Sequence, residues 1–175
     1  MTALTSGDGR IRVAIAAARF NADIVDRLVD TAVAELGILG VDDDRVTVLR
    51  VPGAFELPIA ALALLRGPEP PDGVICLGAV VKGETPHFDF VAGAAADGIL
   101  RVGLETGRPV IFGVLTTNTL EQAWDRADGR YQRGVDAARA AVEMIHLLRA
   151  IAAGPATGHP PPRAVPLSGR ARRRR

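Results

Sequence analysis

Apolar positions along the chain fall into two alternating kinds of block. Short β-rich runs occur at "IRVAIAAA" (11–18), "RVTVLRV" (45–51), "GVICLGAVV" (73–81) and "PVIFGVLT" (109–116). Between the first two, "DIVDRLVDTAVAEL" (23–36) sets Ile24, Leu28, Val29 and Ala32 at helical spacing, and Gly37 supplies a stop. The same reading predicts a helix from about Phe55 to Leu65, ending at Gly67-Pro68, and a long one from about Pro86 to Glu105. A shorter helix follows at "TLEQAWDRA" (119–127) and a last one at "GVDAARAAVEMIHLLRAIA" (134–152).

Strands that alternate with helices predict an α/β fold around a parallel sheet. The third run is continuously apolar, as a strand covered on both faces requires. Right-handed crossovers leave few topologies for four strands. The expected fold is a three-layer flavodoxin-like sandwich with a four-stranded parallel sheet of order 2-1-3-4 and helices on both faces. In such sheets ligands bind outside the carboxyl ends of the strands. The unusual residues gather there: "RFN" after the first strand, "PGAFE" after the second, "KGETPHF" after the third and "TTNT" at the fourth. No comparable accumulation marks the amino ends.

Composition adjusts this picture in three ways. The 175 residues suit one domain with a full core, expected over 11–153 between a flexible segment (1–10) and a disordered Pro/Arg-rich tail (154–175). Hydrophobic residues make up 48%, a surplus that points to surface buried between subunits. The net charge of +1 includes six arginines of the tail, and removing them leaves −5, so the folded part is acidic. A tail of this kind gives no reason to expect a specific nucleic-acid partner. Apolar runs fall well short of the ~20 residues that span a bilayer, and "MTALTSGDGR" lacks a secretory signal's features. With Cys76 alone, neither an internal disulfide nor a thiolate metal cluster forms, and a cytoplasmic setting is expected.

The third strand opens into "KGETPH". Gly83 permits a tight turn, Thr85 is a good N-cap and Pro86 suits a first helical position. Free amides at a helix start also favour a phosphate or carboxylate, so capping and anion binding are both open here. Glu84 fits an anion site only with its carboxylate turned away. His87 follows in the first turn, and imidazole exchanges protons near neutral pH. His146 and His159 have no such setting and read as structural or incidental. Aromatics are scarce, at 4%, yet Phe20 and Phe55 stand at strand-to-helix junctions and Phe88 beside His87. Phe20 either stacks on a planar ligand or staples the start of the first helix. Glu56 either accepts from ligand hydroxyls or favours its helix start. Arg126 and Arg133 are surface cations or phosphate partners. No GxSxG, P-loop, GxGxxG or metal-ligand histidine pair is present, and no cofactor or metal is expected.

"ARFN", "VPGAFELP", "LGAVVKGETPHFDFV", "PVIFGVLTTNT", "EQAWDRA" and "GVDAA…VEMI", in this order, resemble the lumazine synthase family over roughly Ile11 to Leu148. The resemblance implies a transferase of riboflavin synthesis that joins a ribitylaminouracil to dihydroxybutanone phosphate. It implies that Phe20 stacks on the pyrimidine, and that Ala54, Phe55 and Glu56 hold the ribityl chain and ring edge. Ala79, Val80 and Val81 would line the pyrimidine pocket. Backbone amides of Glu84 and Thr85 would meet the phosphate, and His87 would shuttle protons. Phe112, Arg126 and Arg133 match positions that the family contributes from a neighbouring subunit, so each site would be shared around a ring of five. Two departures stand out. Arg133 replaces the family's usual lysine, and "ADGRYQRG" is one residue shorter than the usual link between the last two helices. The shorter link argues for pentamers, single or paired, over a sixty-subunit shell. A non-catalytic flavin- or lumazine-binding module on the same scaffold is the rival reading. It would need neither His87 nor Arg126, and a purely structural shell protein would need no phosphate cradle.

Overall fold

A computed structural model describes residues 10–154. Most of the expected N-terminal segment and arginine tail, with His159, therefore lies outside the described residues. Among the described residues strands and helices alternate up to β4, and two helices follow it: β1 (Val13–Ala18), α1 (Ala22–Ile38), β2 (Val46–Val51), α2 (Leu57–Arg66), β3 (Gly73–Val81), α3 (His87–Thr106), β4 (Val110–Thr117), α4 (Leu120–Ala127) and α5 (Arg133–Ala153). The strands form one parallel sheet in the order β2-β1-β3-β4, with Val13 opposite both Val46 and Gly73 and Val74 opposite Val110. This is the predicted topology.

Every residue of β1 is buried, because alternate side chains meet different helix layers. Val13, Ile15 and Ala17 pack with α1, α4 and α5, while Ala14 and Ala16 pack with α2 and α3. Central β3 behaves alike, and its Cys76 thiol is pushed up to about 12 by burial, so it stays protonated inside the core. The outer strands differ. Thr47 to Arg50 of β2 and Phe112 of β4 are exposed.

Three predicted helix boundaries need correction. Gly37 does not stop α1, which runs to Ile38. The stop is Gly40, at φ 83°, where Gly40 N–H donates to Gly37 and Val41 N–H to Leu36 in a Schellman arrangement. The helix expected from Phe55 begins as a 3-10 turn at Ala54–Glu56, and α2 proper starts at Leu57. Pro58 has no N–H to offer the Ala54 carbonyl, which accepts from Leu57 instead. The third correction concerns α3 and belongs to the site below.

Gly134, in the first turn of α5, lets that helix cross α1 at backbone distance. A Cβ there would lie 2.4 Å from the Leu28 carbonyl oxygen and 2.1 Å from the Thr31 hydroxyl. Gly134→Ala is therefore expected to force α1 and α5 apart and to destabilise the fold by about 1–3 kcal/mol, as overpacking does. Thermal unfolding checks this, and an unchanged midpoint would mean that the crossing yields freely.

The amino end of the sheet holds one buried polar cluster that the sequence did not single out. Asp72 accepts from the Arg12 amide at 2.8 Å and pairs with Arg149 at 2.9 Å. Its own amide donates to the Arg12 carbonyl, so one carboxylate ties β1, the start of β3 and α5 together. This end carries a structural staple, and the candidate chemistry lies at the other.

Candidate active site

At the carboxyl ends of β1 and β2 the chains stay paired beyond the strands. Arg19 N–H donates to Val51 O at 2.8 Å and Phe20 N–H to Pro52 O at 3.2 Å. Asn21 then turns the chain through the left-handed region (φ 57°), which asparagine tolerates better than most residues. Its side-chain Nδ2 donates to the Ala79 carbonyl at 2.8 Å, binding this loop to β3. Phe20 is consequently held out from the helix it precedes, at 72% exposure. The staple reading of Phe20 is thereby overturned, since a staple is covered by its own helix. Phe55, on the 3-10 turn after β2, is also exposed.

These groups border a cleft of about 720 Å³. Phe20 and the segment Pro52–Glu56 form one side. Ala79, Val80 and Val81 form the floor, and Gly83, Thr85, His87, Phe88, Phe90 and Val91 close it. Nine of the predicted site residues meet here: Phe20, Ala54, Phe55, Glu56, Ala79, Val80, Val81, Thr85 and His87. Glu84 does not line the cleft, although Gly83 and Thr85 on either side do. Its exposed side chain is compatible with the turned-away carboxylate an anion site needs.

The start of α3 differs from expectation. Pro86, at ψ 3°, is the cap and His87 the first helical residue, with Asp89 N–H closing a tight turn onto Pro86 O at 3.0 Å. With Pro86 as the cap, no side-chain capping bond forms at this helix start among the described residues. Capping therefore does not account for Thr85, and no side chain occupies the first-turn amides beside the cleft.

Phe112, Arg126 and Arg133 are not in the cleft. They line a separate groove of about 400 Å³ along β4, α4 and α5, and the two lining sets share no residue. Arg126 donates to the Gln122 carbonyl of its own helix at 3.0 Å. Arg133 pairs with Asp136 at 2.9 Å. The link between α4 and α5 contains the second non-glycine residue at positive φ among the described residues, Gln132 at 43°. A bulky side chain in that region costs roughly 1–2 kcal/mol. Cleft and groove thus each adjoin a helix that starts from a left-handed residue, and of the two only Gln132 carries that cost.

Several residues of these surfaces escaped sequence reading. Phe90 stands three positions beyond His87, so helical spacing alone puts it on the same face. Pro52, Gly53 and Val91 carry no chemical signal. Asn21 is legible only once its backbone conformation is known. Among the described residues no three His, Cys, Asp or Glu gather to hold a metal ion, and no helix is long and apolar enough to cross a membrane.

The profile of the 6,7-dimethyl-8-ribityllumazine synthase family matches residues 10–149. The chain belongs to that family. Proteins named 6,7-dimethyl-8-ribityllumazine synthase from two strains of Thermus thermophilus are each 47% identical to it over 142 residues. The alignments cover 81% of this chain and 90% of theirs. The matched span of the lumazine synthase profile includes both the cleft and the groove, from the loop bearing Phe20 to the helix bearing Arg133.

Proposed function

We propose that the chain is a 6,7-dimethyl-8-ribityllumazine synthase. It condenses 5-amino-6-(D-ribitylamino)uracil with 3,4-dihydroxy-2-butanone 4-phosphate, releasing phosphate and water, in the penultimate step of riboflavin synthesis. The observation that carries this reading is the cleft itself, where aromatic rings, one carboxylate and one imidazole converge on a helix start. Its volume is of the size that small-molecule sites take, roughly 300–1,000 Å³.

In this reading Phe20 stacks on the pyrimidine, and Ala54, Phe55 and Glu56 hold the ring edge and ribityl chain. Glu56 accepts hydrogen bonds from ribityl hydroxyls. The backbone at Ala79, Val80 and Val81 lines the pyrimidine pocket. Backbone amides at Glu84 and Thr85, with the positive end of α3, hold the phosphate. The uracil amine attacks the ketone carbonyl and the adduct loses water to give an imine. Phosphate then leaves, the ring closes and a second dehydration completes the lumazine. His87 gives and takes protons in these steps, while orientation of the two bound substrates supplies much of the rate.

The groove bearing Phe112, Arg126 and Arg133 completes the cleft of the adjacent subunit in a ring of five, alone or paired, and its Arg126 meets the phosphate there. Support comes from its separation from the cleft and from exposed Ile59, Phe90, Leu100 and Leu104, which leave apolar surface for a partner to cover. The folded unit spans 11–153 and works in the cytoplasm.

Incubation with both substrates tests the reaction. Lumazine fluorescence should appear only when both are present, with phosphate released in step. A module that binds without turning over would show neither. Light scattering should give a mass near five or ten chains, and a stable, active monomer would overturn the shared site.

A further inference from the structure

Three arginines of one chain surround a single aromatic ring. The guanidinium carbons of Arg126, Arg133 and Arg130 lie 5.1, 5.4 and 5.8 Å from the centre of Tyr131. Arg126 is in the last turn of α4, and Arg133 opens α5. Tyr131 stands between them on a link that backbone bonds fold onto α4. Its own amide donates to Asp125 O at 3.3 Å, and those of Asp128 and Gly129 donate to Trp124 O. The Arg130 amide reaches the Asp125 carboxylate at 3.3 Å. With Gln132 in the left-handed region, the ring is presented to both neighbouring helix ends.

Like charges gathered in this way repel, and most are not neutralised by carboxylates. Arg133 has Asp136, but among the described residues neither Arg126 nor Arg130 pairs with an acid. The negative face of an aromatic ring is the compensating attraction on hand. Arg126 is then held twice, by the Gln122 carbonyl and by the ring, which leaves the rest of its donor edge for an anion.

We infer that Tyr131 is a positioning residue for the phosphate-bearing substrate: its ring holds Arg126 and Arg133 together at the groove. The inference rests on the proposed role of Arg126 as phosphate partner. Tyr131 touches no reacting atom and acts only through the guanidiniums. Arg130, over the same ring but outside the groove lining, adds positive field without a place in the site.

Steady-state kinetics on the full chain with Tyr131→Phe, Tyr131→Leu and Tyr131→Met tests this, with Arg126→Ala as reference. Tyr131→Leu and Tyr131→Met should raise KM for dihydroxybutanone phosphate by about three- to ten-fold, the size of one or two exposed cation–π contacts. Inhibition by inorganic phosphate should weaken in parallel, while kcat and KM for the uracil stay within about twofold of the parent, beneath the effect expected of a lost contact. Tyr131→Phe should keep the parent's constants, because the ring and not the hydroxyl is at work. Leucine or methionine variants matching the parent would overturn the inference, as would equal rises in both KM values or a phenylalanine variant as impaired as leucine. An Arg126→Ala enzyme with unchanged KM for the phosphate substrate would instead sink the underlying reading of the groove. A rise in Arg126→Ala with none in Tyr131→Leu removes the role of Tyr131 alone.

Discussion

His87→Ala should slow turnover by about 10²–10⁴-fold, the usual worth of a positioned acid–base group, and should leave a measurable residual rate. Glu56 and His87 carry the two acid–base side chains in the cleft lining, and Glu56 is committed to ribityl hydroxyls in the proposed arrangement. The groove's own carboxylate, Asp136, is paired with Arg133, so proton transfers in imine formation, ring closure and dehydration fall to His87 or to water. The residual rate follows from the rest of the cleft. Thr85 carries the one hydroxyl in the lining, and cysteine is absent from it, since Cys76 is shut in the core with its thiol protonated. A mechanism without a protein nucleophile loses a proton shuttle and keeps its oriented substrates. Single-turnover rates at saturating substrate, with binding followed separately, decide the matter. A variant that binds both substrates and is wholly inactive would mean that orientation contributes little. A variant as fast as the parent would remove His87 from the chemistry.

The fold was legible because its signals are repeated. Four apolar runs separated by helical periodicity allow few sheets, and the unbroken apolar run of β3 marks a strand covered on both faces, as its burial up to Ala79 shows. The carboxyl-end rule gathers Phe20, Glu56 and His87 from the sequence alone. What remained hidden depends on single backbone states or on distant partners. Pro58 and Pro86 each moved a helix start by denying an amide or tightening a turn. Asn21 and Gln132 take left-handed conformations that no periodicity announces. The Asp72–Arg149 pair joins residues far apart in sequence at the quiet end of the sheet. The division of the site residues between cleft and groove has no signal in periodicity or composition, and the sequence offers it only through resemblance to a family.

That division gives the second large effect. Arg126→Ala should weaken the phosphate-bearing substrate about ten- to a hundred-fold, because a hydrogen bond to a charged group is worth roughly 1.5–3 kcal/mol. The uracil should be nearly unaffected. Equal losses for both substrates would mean that Arg126 acts on subunit packing. The sharper measurement mixes the two variants. Arg126→Ala chains have an intact cleft, and His87→Ala chains an intact groove. If a ring interface joins the cleft of one chain to the groove of the next, random co-assembly restores about a quarter of the sites. With the phosphate substrate kept scarce, each variant alone is nearly silent, so the recovered fraction stands out clearly. The mixture must be unfolded and refolded together, since preformed rings do not exchange freely when their contacts are large and apolar. Activity near a quarter of the parent's supports a site built by two chains. Activity equal to the mean of the separate variants would put His87 and Arg126 in one chain's site, and the groove along β4 would then need another role.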